Sequence, residues 1–114
     1  MSTKRIPNPK PTIYCALYPG LVKVAREKGY ALAVHGSMLT DLDLIACAWR
    51  DDAASANELM QALWDELARF DLGENFHKYK NFDCQIMPGG RLSFCIPIMG
   101  DWFIDLSVYP PVKR

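Results

Sequence analysis

Apolar positions in this chain recur with two different periods, and the switch between them lays out the elements. In "YPGLVKVAREKGY", Leu21, Val22 and Ala25 fall at helical spacing and Gly29 is a natural stop. "ALAVH" reads as a short strand and "DLDLIACAW" as a longer one. In "SANELMQALWDELARF", Leu59, Leu63, Leu67 and Phe70 form an apolar stripe joined by Ala62 and Trp64. Ser55 there, with Glu58 three residues on, has the form of a capping box. "LGENFHKYKN" reads as a polar connection. The remainder reads as a meander: "FDCQIM", a Pro88-Gly89-Gly90 turn, "RLSFCIPI", a Gly100-Asp101 turn and "WFIDLSVY". Pro97 places the middle strand near an edge or a bend. The order predicts an α+β domain with helices on one face of a mixed sheet.

Two of these strands carry acids where apolar residues belong. Strand side chains alternate, so Asp41 and Asp43 share one face while Leu42 and Leu44 share the other. In the last strand Trp102, Ile104, Leu106 and Val108 take one face, and Phe103, Asp105 and Ser107 the other. If the two strands are neighbours, three carboxylates converge. They repel unless a cation sits among them, and without one at least one acid should hold its proton to unusually high pH. Oxygen-only ligands suit Mg²⁺, or Mn²⁺. The Gly36-Ser37 pair just before the acids offers a backbone that a ligand can approach and a hydroxyl for a phosphate oxygen. Metal-binding acids beside a phosphate-holding turn suit two-metal phosphoryl or nucleotidyl transfer.

Composition narrows the field. The chain has 114 residues, half of them hydrophobic, with 13 basic and 13 acidic side chains. It is long enough for one cored domain, and its neutral balance gives no support to bulk nucleic-acid binding. No apolar run is long enough for a membrane span. Residues 1–13, with prolines at 7, 9 and 11, read as an extended arm and not as a signal peptide. Residues 14–109 read as the domain and 110–114 as a short tail. Cys15, Cys47, Cys84 and Cys95 have no C-x-x-C spacing, so they are expected to be reduced cytosolic thiols, three of them in core strand positions. A zinc site using them with His35 or His77 fits no common spacing.

Gly36-Ser37, then Asp41-Leu42-Asp43-Leu44, then Ile104-Asp105-Leu106 resembles the signature of the nucleotidyltransferase, or DNA polymerase beta, superfamily. The wider strings "HGSMLTDLDLIACAW" and "FIDLSVYP" also resemble small nucleotidyltransferase-like proteins of tailed phages and prophages. The resemblance covers roughly Tyr14 to Tyr109. It implies a minimal nucleotidyltransferase-like fold in the cytoplasm of a bacterial host. It also implies catalytic, metal-ligating Asp41, Asp43 and Asp105, nucleotide phosphate contacts from Gly36 and Ser37, and a nucleoside triphosphate or related nucleotide as ligand. One departure stands out: only Met38, Leu39 and Thr40 separate the Gly-Ser from the acid pair, where most active members place a helix. That favours metal and nucleotide binding over catalysis. The alternatives are a non-catalytic phage-encoded protein that recognises a nucleotide or a host protein, and a metal-dependent phosphodiesterase.

The remaining polar and aromatic candidates take ordinary roles. His35 is expected to pack or hydrogen-bond beside the turn, with general-base chemistry the lesser reading. Arg50 and Arg91 could meet phosphate but read first as surface charge. Trp49 and Trp102 could stack on a base but read first as core. Asp83 and Asp101 fall at turns or strand starts.

Overall fold

The structure is a computed structural model that describes residues 7–112. It is an α+β domain whose elements run α1 (Lys10–Glu27), β1 (Tyr30–His35), β2 (Leu42–Ala48), α2 (Ala56–Leu67), α3 (Glu74–Lys78), β3 (Cys84–Ile86), β4 (Leu92–Ile98) and β5 (Trp102–Tyr109). The five strands form one mixed sheet in the order β1-β2-β5-β4-β3. β1 and β2 are antiparallel, β2 and β5 parallel, and β4 is antiparallel to both β5 and β3. No helix among the described residues is long and apolar enough to cross a membrane.

Alternation decides which face of the sheet is covered. Leu42, Leu44 and Ala46 of β2 and Ile104, Leu106 and Val108 of β5 are buried. They join Leu17 and Leu21 of α1 and Leu59, Met60, Leu63 and Leu67 of α2 in one core. On the other face, Asp43, Ile45, Cys47, Phe103, Asp105, Ser107 and Cys95 are all half-buried or exposed. The acids thus project from the face opposite the helices.

α2 starts as its sequence dictates. The Ser55 hydroxyl accepts from the Glu58 backbone N–H at 3.2 Å, and the Ser55 N–H donates to the Glu58 carboxylate at 3.3 Å. Its stripe ends earlier than expected: the helix stops at Leu67, Phe70 is exposed, and Met60 takes the core position instead. α1 is longer than the periodicity around Leu21 implies. It begins at Lys10, so the last four residues of the expected arm, 10–13, are helical, while residues 1–6 lie outside the described ones. Pro11 sits in the first turn, where no intrahelical N–H is needed, and Pro19 is carried in the interior. The expected polar connection holds a short helix, because Phe76 of α3 is buried and stacks on Trp64 at 4.7 Å, and the Trp64 indole N–H donates to the Phe76 carbonyl. Pro97 has β5 on one side only, because β3 pairs no further along β4 than Phe94.

Two further expectations are corrected. All four cysteines are exposed, since Cys47 and Cys95 alternate onto the uncovered face and Cys84 lies on the edge strand. Trp49, just past β2, is 64% exposed and not core. Trp102 is half-buried, with its ring edge against Tyr14 at 5.8 Å and Lys10 Nζ 5.3 Å from its centroid. The sidedness of the sheet is open to a paired test. Leu44→Ala, which empties a fully buried site, should cost about 2–5 kcal/mol in denaturant unfolding. Cys47→Ser, three residues on and facing water, should change stability by less than about 0.5 kcal/mol.

Candidate functional site

The site is built on the parallel pairing of β2 and β5. That register sets Asp43 directly opposite Asp105, and Asp41 lies two residues before Asp43 on the same face. One carboxylate oxygen from each of Asp41, Asp43 and Asp105 lies within 4.8 Å of the others. All three residues are half-buried. Among the described residues no Lys, Arg or His forms an ion pair with any of them.

The turn between β1 and β2 closes one end of this cluster. His35 ends β1 opposite Asp43, and the chain then reverses through Gly36 at φ +80°. A Cβ at Gly36 would lie 2.8 Å from Asp43 Oδ2, in a backbone conformation that side-chain-bearing residues rarely adopt. The positive φ favours glycine here, and a larger residue would also push the Asp43 carboxylate aside. The Ser37 hydroxyl accepts the Leu39 N–H at 3.3 Å, which folds the three-residue connection back on itself. Two side chains from the N-terminal region then anchor it. Asn8 donates to the Leu39 carbonyl at 3.0 Å, and Tyr14 donates to the Thr40 carbonyl at 2.7 Å. No helix intervenes between Ser37 and Asp41.

The cluster's charge is visible in its neighbours. Burial, opposed by a hydrogen bond from the Cys95 thiol and reinforced by the charges of Asp41 and Asp43, raises the Asp105 carboxyl above its ordinary value. Protonated Asp105 can also donate to Asp41. Cys95, opposite Asp105 on β4, keeps an exposed edge. Burial of its thiol, the hydrogen bond it gives Asp105, and the Asp105 and Asp41 charges push it up to about 12. Tyr14 is fully buried, and burial followed by the Asp41 charge pushes its hydroxyl up to about 12. A set of carboxylates that cannot all ionise comfortably alone fits a hard divalent cation, which takes oxygen ligands and removes the repulsion. Cys95 is not among the acid-bearing residues expected from the sequence; its alternation between Phe94 and Ile96 in β4 is the signal that places it on the open face.

Other expected residues fall elsewhere. His35 is exposed, and its ring makes no hydrogen bond among the described residues, contrary to the packed role expected. Arg50 lies beyond the far end of β2, pairs with Asp52 at 3.3 Å and donates to the Glu27 carbonyl, which is a surface role. A cavity of about 880 Å³ lined by Asp51, Asn57, Leu92 and Pro111 includes none of the three acids. Size alone does not make it the site, because no convergent titratable cluster faces it.

Comparison with known protein families, curated proteins and solved structures finds no match for this chain. The acid cluster itself predicts a pH signature. Asp105 has its folded pKa above its unfolded value, so its contribution to stability is complete below the ordinary aspartate range and is lost as pH rises through the raised folded value. In metal-free buffer, the melting-temperature difference between wild type and Asp105→Asn should therefore shift in favour of the variant as pH climbs through that window. A pH-independent difference would contradict it. The thiols provide a second readout. At pH 8, Cys15, Cys47 and Cys84 should react readily with a thiol reagent while Cys95 lags, and Asp105→Asn should speed Cys95.

Proposed function

We propose that this protein binds a nucleotide together with Mg²⁺ or Mn²⁺, using Asp41, Asp43 and Asp105 as the cation's ligands on a minimal nucleotidyltransferase-like fold. The observation that carries the reading is the in-register pairing of Asp43 with Asp105, which gathers three carboxylates on one open sheet face. The cation, when bound, would neutralise phosphate charge and polarise a phosphoryl oxygen. The chain's own residues do the rest. Gly36 leaves the backbone beside Asp43 bare for close approach, Ser37 sits in the same turn, and Asn8 and Tyr14 hold the connection rigid. Burial and the neighbouring charges raise the Asp105 pKa, so metal binding should tighten as pH rises through that raised value.

The short Met38–Thr40 connection favours binding over rapid transfer. A helix N-terminus there would present a row of N–H groups and a positive dipole end to a triphosphate, and this connection contains no helix. A nucleotidyl group could still pass to an acceptor hydroxyl if an acceptor or partner completed the site. The alternative is a non-catalytic protein that recognises a nucleotide or a host protein through the same face.

Mg²⁺ or Mn²⁺ should stabilise the wild type by about 2.7 kcal/mol at a hundredfold excess over Kd, seen as a higher melting temperature. Asp43→Asn should abolish that rise without unfolding the domain; an equal rise in both proteins would remove Asp43 from the ligand set. With labelled nucleoside triphosphates and Mg²⁺, the isolated protein should bind nucleotide and release pyrophosphate slowly or not at all. Fast turnover that Asp43→Asn destroys would show that the missing helix is dispensable, and absence of any nucleotide binding would turn the reading to a protein partner.

A further inference from the structure

The five strands contain no Lys or Arg, yet one guanidinium is fixed on the acid-bearing face. Arg91, immediately before β4, is half-buried and donates from Nη1 to the Ser107 hydroxyl at 3.0 Å. Ser107 follows Asp105 by two positions on β5, so it shares that face and lies about 7 Å further along the strand. The backbone of Arg91 is held as well. Its carbonyl accepts the Met87 N–H at 2.8 Å, closing a turn through Gly89 and Gly90, both near φ +80°. Only glycine takes two such successive positions at little cost, so the turn that aims Arg91 is built for its geometry.

We propose that Arg91, oriented by Ser107, is a phosphate-binding group of this site, taking a phosphate of the bound ligand on the side of the acids away from the Gly36-Ser37 turn. The proposal rests on the metal and nucleotide reading given above. A guanidinium has five N–H donors in a planar fork, and the bond to Ser107 uses one of them. The remaining donors match phosphate oxygens, and Arg91 makes no ion pair with a carboxylate among the described residues. Its spacing suits this role. Its anchor Ser107 lies about 7 Å from Asp105 along the strand, so one ligand can reach both the acids and the guanidinium bonded to that serine. Beside it, Ser93 pairs with Ser107 across the strands on the same face. Arg91 thus offers anion binding that does not depend on the absent helix.

The test measures calorimetric affinity for ATP with Mn²⁺ and for inorganic pyrophosphate without metal, alongside the Mn²⁺ thermal shift. Wild type, Arg91→Gln, Arg91→Lys and Ser107→Ala are compared. Arg91→Gln should weaken both anions about tenfold or more while keeping the Mn²⁺ shift. Arg91→Lys should recover only part of the loss, because the charge returns without the fork. Ser107→Ala should weaken binding less, by loosening the guanidinium. Wild-type ATP affinity that survives in Arg91→Gln would overturn the proposal and leave the metal reading standing. Arg91-dependent pyrophosphate binding without any Mn²⁺ shift would uphold the anion site and reject the metal reading. A wild type that binds neither anion would reject the proposal outright.

Discussion

The parallel ladder between β2 and β5 is the constraint on which this domain turns. On its core face it stacks Leu42 with Ile104, Leu44 with Leu106 and Ala46 with Val108, each no more than 1% exposed. A slip of one residue would send the shifted strand's apolar set to water, so burial specifies the register strongly. The same register forces Asp43 against Asp105. At an effective dielectric near 20, two full charges 4.8 Å apart repel by about 3.5 kcal/mol, and less where water screens them. Burying the four large aliphatic side chains contributes about 1.5–3 kcal/mol each. Burial wins, and the opposition shows in the Asp105 pKa, which desolvation and the like charges raise. Apolar packing on one face thus holds like charges together on the other.

Where side-chain period carries the information, the sequence was readable. Phase alone put Asp41, Asp43 and Asp105 on one face and the helices on the other, and Ser55 with Glu58 marked the start of α2. Composition misled where it spoke for burial. Cys47 and Cys95 have hydrophobic character, but strand phase assigns them to the open face, and phase governs. Trp49 was similarly overrated as core. Pro11 and Pro19 obscured the length of α1, because a proline in the first turn costs nothing and one interior proline is outweighed by the burial of Tyr14, Leu17, Leu21 and Ala25. α3 was invisible for a different reason: five residues give too little periodicity, and only the stack of Phe76 on Trp64 accounts for it. Arg91 could be seen in the sequence only as a charge. Its direction depends on Ser107, 16 positions away, which no local pattern connects to it.

The polar face divides its labour along the strands. At one end, glycine and a tight turn keep the backbone bare beside Asp43. At the centre, the three acids converge and the Cys95 thiol hydrogen-bonds Asp105. At the other end, a hairpin turn holds the Arg91 guanidinium against Ser107 on this face. Tyrosines brace the scaffold behind it, with buried Tyr14 and Tyr30 bonded to Thr40 and Ala54 and half-buried Tyr18 bonded to Leu32. A frame of this kind lets a half-exposed cluster keep its geometry.

The strand order also dictates when this geometry can exist. β5 is synthesised after the other four strands, yet it lies in the middle of the sheet between β2 and β4. Until it emerges, a nascent chain holds two separate hairpin-like pieces, each with an apolar strand whose inner edge has no partner. Such edges invite pairing with other chains. Docking of the final strand then joins the halves and brings Asp105 to Asp43 in a single step. Ribosomal fragments that stop short of Trp102 would carry two of the acids and none of the protection, so quality control by aggregation or proteolysis would fall on the very chains that lack a complete site.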